Sequence, residues 1–294
     1  MTSLKFKGES TDKNIWEEMN MKNRKWLVIL LCVLLAAVLT GCGSQDAQKN
    51  DAEPTAEAAA EAVEETKDTV DYTFGTDTAF RPFEYTDETG TLVGIDVELL
   101  AAIAEDQGFA YTIEPLGWDA SIAACQAGQK DALIAGASIT EKRKAEGWIF
   151  SDGYYNATQC MAVAKDSEIT GFDGLKGQEV AVKTGTESKT YADSLAETYG
   201  FTVKTFESSP DIYQAVISGQ CAACFDDTPI MADYIKSNDV ALKLVAGTES
   251  EGADYGMAVF NAEKQELVDK FNAGLKNIRE NGKYDEILKK YLGE

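Results

Sequence analysis

Histidine is absent from all 294 residues of this chain. Without it the usual zinc sites, and every mechanism built on a Ser-His-Asp or Cys-His pair, are excluded. Basic residues are scarce too: 27 Lys and Arg stand against 50 Asp and Glu, a formal net charge of −23. So acidic a surface repels phosphate backbones and anionic headgroups, which makes nucleic acid a poor partner for the whole molecule. Solubility alone would account for the same charge. Cysteine decides little. Cys221 and Cys224 form a C-x-x-C pair inside CAACFDD, but that segment reads as a buried strand in which positions three apart face opposite ways. Small buried side chains are the plainer reading, and a disulfide or redox pair the other. No metal and no cofactor is expected.

Long apolar runs are also missing, save one. Lys22, Arg24 and Lys25 precede an unbroken apolar stretch over 26–39, which ends in Leu39-Thr40-Gly41-Cys42. Basic, then apolar, then small residues is the order of a secretory signal. The stretch is shorter than the roughly 20 residues that a spanning helix needs, and the small pair before Cys42 looks like the lipobox that bacterial lipoprotein machinery cuts and diacylates. A plain transmembrane anchor is the competing reading. Residues 1–20 show no apolar period and read as an upstream extension, with residues 21–41 as the signal and Met21 as its start. Removal of 1–41 would leave 21 basic against 46 acidic residues.

Residues 42–69 hold the candidate lipid site Cys42 and then mostly Ala, Glu, Asp, Gln and Lys, with Val63 as the one large aliphatic. Nothing there can bury a core, so the segment reads as a disordered, acidic linker. As a flexible coil it would span on the order of 30 Å. The Ala-Glu run could instead form transient helix.

From residue 70 onward the pattern alternates strand and helix. VDYTFGTD is followed by GIDVELLAAIAEDQG, then FAYTIEPL by WDASIAACQAG with Asp119 as its candidate cap, and DALIAGAS by TEKRKAEG with Thr140 as its cap. QEVAVKTG, FTVKTFES, CAACFDD and ALKLVAG continue as strands. Pro210 and Pro229 fit the first turns of the helices between them. EKQELVDKFNAGLKNIRENGKYDEILKKYL reads as two helices split at Asn281-Gly282. Alternation of this kind predicts α/β sheets, whose ligands bind beyond the carboxyl ends of the strands. At those ends stand Asp77, residues 136–138, Lys183 with Gly185, and Asp226 with Asp227.

TDTAFRPFEY, GIDVELLAAIAE, DALIAGASITEKRK, FSDGYY, LKGQEVAVKTGTES, FDDTP and NGKYDEILKKY occur in that order. Together they resemble the extracytoplasmic solute-binding proteins of family 3, the polar amino acid receptors of bacterial ABC importers, and most of all the glutamine-binding group. The resemblance implies a two-lobed α/β fold of the type II periplasmic-binding-protein kind, with lobes joined by a two-strand hinge. Lobe one would comprise residues 70–157 plus 253–294, and lobe two residues 158–252. It further implies a monomer, lipid-anchored outside the cell, that closes on a free amino acid by hinge bending and passes it to a membrane permease.

The resemblance also assigns roles. Arg143 would take the ligand's carboxylate in a bidentate pair, with backbone N–H donors near Ser138 and around Thr186 to Ser188. Asp227 would pair with the ammonium, helped by Ser138 and a carbonyl near Gly136. Phe80 and Trp118 would sandwich the aliphatic stem, and Asp77 and Lys183 would bracket a terminal amide, which favours glutamine over arginine, lysine or glutamate. Each assignment has a plainer counterpart: Arg143 as a surface helix residue, Asp227 as a helix cap, Phe80 and Trp118 as core. Two positions depart from the glutamine-binding pattern. Asp226 stands where a histidine is expected and Glu187 where a glycine is common, which would put two extra carboxylates near the mouth. Those acids are the one support for a dehydratase-like enzyme on the same fold. A sensory or adhesive lipoprotein is a third reading.

Overall fold

The computed structural model describes residues 71–293. The signal, Cys42 and linker expectations lie outside these residues. Among the described residues no helix is long and apolar enough to cross a membrane.

The chain opens with β1 (Asp71–Thr76), β2 (Ala79–Phe80), β3 (Glu84–Thr86), β4 (Leu92–Val93) and α1 (Ile95–Gln107). β5 (Ala110–Pro115), α2 (Trp118–Gln126), β6 (Ala132–Leu133), α3 (Glu141–Ala145) and β7 (Ile149–Phe150) follow. β8 (Tyr155–Ala157) leads out of this region into β9 (Gln159–Ala164), β10 (Glu179–Lys183), α4 (Glu187–Tyr199), β11 (Thr202–Phe206), α5 (Ser209–Ile217), β12 (Ala223–Asp227), α6 (Thr228–Asn238) and β13 (Leu242–Leu244). β14 (Ala253–Tyr255) leads back to β15 (Ala258–Val259), α7 (Gln265–Glu280) and α8 (Lys283–Leu292).

Two five-stranded sheets result, ordered β5-β1-β6-β15-β7 and β11-β10-β12-β9-β13. In the first, β1 runs parallel to β5 and β6; in the second, β10 runs parallel to β11 and β12. Both sheets also carry antiparallel pairs, through β15 and β9. β8 and β14, the outgoing and returning passages, pair antiparallel to each other, Tyr155 opposite Tyr255. Two lobes joined by a two-strand ribbon follow from this connectivity.

Both faces of the second sheet are covered. Along β9, Cys160 and Ala162 enter one core while Met161 and Val163 enter the other, the alternation that a strand imposes. Cys221 and Cys224 are free, buried thiols, but β12 begins only at Ala223, so Cys221 lies before it and enters the same core as Cys224 instead of facing the opposite way. In the first lobe α7 lays Leu267, Val268, Phe271, Leu275 and Ile278 against the core beside Leu99, Leu100 and Ile103. At about 1.5–3 kcal/mol for each large side chain removed from water, this face explains why the C-terminal helices return to the first sheet.

The sequence patterns and the elements differ at two places that matter. DALIAGAS is a strand only over Ala132–Leu133; beyond it Gly136 turns left-handed, with φ 55°, and the backbone breaks off toward the interlobe cleft. Asp119 does not cap α2, which starts one residue earlier, after Gly117. Asp119 is therefore left exposed in the first turn.

Candidate functional site

The carboxyl ends of β1, β6, β10 and β12 converge between the lobes on a narrow, nearly filled cavity. All ten residues named from the sequence line it: Asp77, Phe80, Trp118, Gly136 and Ser138 with Arg143 from the first lobe, and Lys183, Thr186, Glu187 and Asp227 from the second. Ala135, Ser188 and Asp226 line it as well. The Ser188 hydroxyl carried no signal beyond its place in the first turn of a predicted helix.

Arg143 is positioned by a short capped helix. Thr140 accepts the Arg143 N–H at 3.2 Å and fixes the start of α3. The guanidinium is not a surface group: it is only 5% exposed, and it lies 5.2 Å from the Trp118 ring and 5.0 Å from that of Trp148. It donates to the Ser138 carbonyl at 2.9 Å and, across the cleft, to the Gly185 carbonyl at 3.3 Å. Trp118 Nε1 donates to the same Gly185 carbonyl at 3.2 Å. Gly185 holds φ 71°, and a Cβ there would lie 2.9 Å from Asp119 and 3.1 Å from Trp118 Nε1, so a side chain would push the lobes apart. Glu187, first residue of α4, brings a carboxylate oxygen 3.6 Å from Arg143 Nε. Burial pulls the Arg143 pKa down, and Glu187 and Asp227 push it back.

Asp227 precedes Thr228-Pro229 at the start of α6 but makes no side-chain cap there. Its buried carboxylate accepts from Gln159 Nε2 at 2.9 Å, from Ser188 Oγ at 3.0 Å and from the phenol of Tyr255 in the hinge ribbon. Burial raises its pKa, and these hydrogen bonds oppose the rise. Asp226 corrects an expectation. It does not stand free at the mouth: it is 1% exposed, accepting from Tyr213 at 2.6 Å and from the Asp227 N–H at 2.9 Å. Neighbouring strand residues face opposite ways, so Asp226 turns toward α5 when Asp227 turns to the cleft. Burial, and then the Asp227 charge, lift it to about 6.

At the other end Lys183 and Asp77 form a buried ion pair across the cleft. The Lys183 ammonium also sits 5.3 Å from the Phe80 ring and 5.9 Å from that of Trp118. Asp119 adds negative charge within interaction range of this pair, and Glu207 lies within range of Asp119. On the surface, Arg81 of the first lobe meets Asp233 of the second at 3.0 Å. The cavity thus offers a cation and an anion at each end with aromatic rings between them. That arrangement suits a zwitterion with a polar tail.

Residues 72–294 match the bacterial extracellular solute-binding proteins, family 3. An arginine-binding extracellular protein of Bacillus subtilis is 29% identical over 92% of this chain and 98% of its own length. A probable histidine-binding protein of Neisseria gonorrhoeae is 30% identical over 94% of this chain and 97% of its own. Among solved structures, an ancestral arginine-binding protein bound to glutamine superposes with a TM-score of 0.71 at 36% identity, covering 76% of this chain and 98% of that one. The two lobes and their ribbon are a type II periplasmic-binding-protein fold.

Proposed function

We propose, from the premise that this chain belongs to the bacterial extracellular solute-binding proteins, family 3, that it captures free glutamine between its lobes and delivers it to an ABC importer. The ligand's carboxylate meets Arg143, its ammonium meets Asp227, and its stem lies between Phe80 and Trp118. The observation that carries glutamine is the buried Asp77–Lys183 pair. An amide can donate to the carboxylate and accept from the ammonium at once, leaving neither charge stranded. A carboxylate tail would face Asp77, and a cationic tail would face Lys183, either costing several kcal/mol where the charges are desolvated. A structural neighbour that holds glutamine supports this reading.

One observation favours a second reading, a cationic amino acid. Asp119 lies within interaction range of Asp77 and Lys183, and relatives are named for arginine and histidine. Calorimetry with glutamine, arginine and glutamate decides between the two. Glutamine is expected to bind tightest, and tighter binding of arginine would replace it. Recovery of the ligand unchanged after incubation separates a receptor from a dehydratase-like enzyme. The lipid on Cys42 would hold this monomeric receptor outside the cell beside its permease, with residues 42–69 as the tether.

A further inference from the structure

Behind the first-lobe wall of the cavity lie two acids that take no part in the contacts above. Glu84 on β3 and Asp96 in the first turn of α1 are both fully buried. Asp96 Oδ2 accepts from the Gly136 N–H at 2.9 Å and from the Tyr154 phenol at 2.8 Å. Neither Glu84 oxygen, nor Asp96 Oδ1, meets an N–H or O–H donor among the described residues. As two carboxylates the pair would hold no proton to share, and three acceptor atoms would stay dry and unmatched. A single proton placed between them supplies the missing donor and matches two of the three atoms, leaving one Glu84 oxygen without a donor.

The surroundings favour that proton on Glu84. Burial first, then the charges of Asp96 and Asp77, push its pKa well above the ordinary carboxylate range, with Lys183 pulling only partly back. Asp96, lifted to about 6 by burial, is held lower by the hydrogen bonds from Gly136, Tyr154 and Glu84. Tyr154, also raised by burial, stays a donor. The pair connects to the ligand cavity at two points. Gly136, anchored by Asp96, packs so closely that a Cβ on it would lie 2.5 Å from Phe80 Cε1. Glu84 is the strand partner of Phe80 itself.

We propose that Glu84 keeps a proton at neutral pH, donates it to Asp96 Oδ1, and so acts as a positioning residue that fixes Gly136 and Phe80 in the wall of the amino acid cavity. The statement about ligand rests on the function proposed above; the statement about the proton does not. The sign follows from linkage. A carboxyl whose pKa is raised by folding binds a proton that the unfolded chain has lost, so its contribution is present at low pH and disappears as pH rises toward the folded value.

The test compares the full-length protein with Glu84→Gln, which keeps the shape and a donor but has no proton to lose. Denaturant unfolding is measured from about pH 5 to about pH 8, a range above the unfolded glutamate value. The wild-type folding constant is expected to fall more steeply with pH than that of the variant, by at most about tenfold per pH unit. Parallel slopes overturn the proton assignment. Glutamine affinity near neutral pH is expected within about threefold for the two proteins, with an alkaline loss in the wild type that the variant lacks; a large loss in the variant at every pH overturns the positioning role. If wild type binds no amino acid at all, the proposed function and the positioning role both fall, and the unfolding slopes still decide the proton. If the variant does not fold, infrared spectra of wild type with isotope-labelled glutamate decide it. A carboxylic acid carbonyl band at neutral pH that vanishes on alkalinisation supports the proposal, and carboxylate bands alone overturn it.

Discussion

Asp227→Asn is the substitution whose effect follows most directly from the geometry. The two side chains have nearly the same shape, so the change removes a charge and leaves the packing. In the native protein the carboxylate collects three donors, Gln159, Ser188 and Tyr255. An amide turned into that nest presents one acceptor and two donors, which leaves at least one hydroxyl or amide mispaired. A mispaired buried group costs about 1–3 kcal/mol in stability, visible as a lowered melting temperature in a chain that still folds. The larger loss falls on the ligand. Its ammonium, desolvated by closure, would face a neutral amide, and stranding one member of a buried charge pair costs about 3–5 kcal/mol. That is a loss of about 10²- to 4 × 10³-fold in affinity. Calorimetry with glutamine measures it, with a melting curve to establish that the variant is folded. A folded variant that binds within about threefold of wild type would refute the assignment of the ammonium to Asp227. A pH series adds a signed check. Because burial raises the Asp227 pKa, affinity should decline as pH falls and the carboxylate gains a proton.

Further predictions concern the tail, the mouth, the surface and the tether. Lys183→Met should reorder preference in favour of arginine and lysine, because Asp77 would be left as an unopposed buried anion; equal loss for every amino acid in calorimetry would contradict the division between tail and backbone recognition. Glu187→Gln should tighten amino acid binding by a few-fold, since a carboxylate 3.6 Å from Arg143 Nε competes with the ligand's own for the guanidinium, and an interaction of about 1 kcal/mol is what a part-exposed charge supplies. Weaker binding would mean that Glu187 holds the ligand instead. Arg81→Ala removes a surface pair across the cleft whose arginine side chain is 45% exposed; pairs of this kind are worth about 0–1 kcal/mol, so affinity should change less than about fivefold, and by even less at high salt. Cys42→Ser should move the protein from the membrane fraction to the soluble one while glutamine binding persists. Retention in the membrane fraction would point to an anchor other than the lipid.

Much of the fold was legible because period and punctuation agree in it. ACFDD alternates Cys224 into one core and Ala223 with Phe225 into the other, TPIMADYIKSN becomes α6 residue for residue, and the break at Asn281-Gly282 separates α7 from α8. Local signals failed where tertiary position decides. Nothing in DALIAGAS tells that the strand stops at Leu133 and that Gly136 turns left-handed, or that Phe80, remote in sequence, leaves no room for a side chain there. The convergence of Asp77, Lys183 and Asp227 was readable from their places at strand ends, a topological rule, whereas Arg143, in the first turn of a helix, was picked out by the family resemblance. How they partner was not: the pairing of Lys183 with Asp77, the approach of Glu187 to Arg143 and the burial of Asp226 against Tyr213 are relations between elements. Glu84 and Asp96 read as ordinary polar residues of a strand and a helix start. Only packing shows that both have lost their water.

The most direct test of the account is a thermal-shift screen of the full-length protein against the twenty amino acids at equal concentration. A ligand that binds only the folded chain stabilises it by about 2.7 kcal/mol at a hundred times its Kd, enough to separate a cognate ligand from weak ones. The account predicts the largest upward shift for glutamine, smaller shifts for arginine and glutamate, and little for apolar amino acids. A melting temperature unmoved by any of the twenty would contradict it.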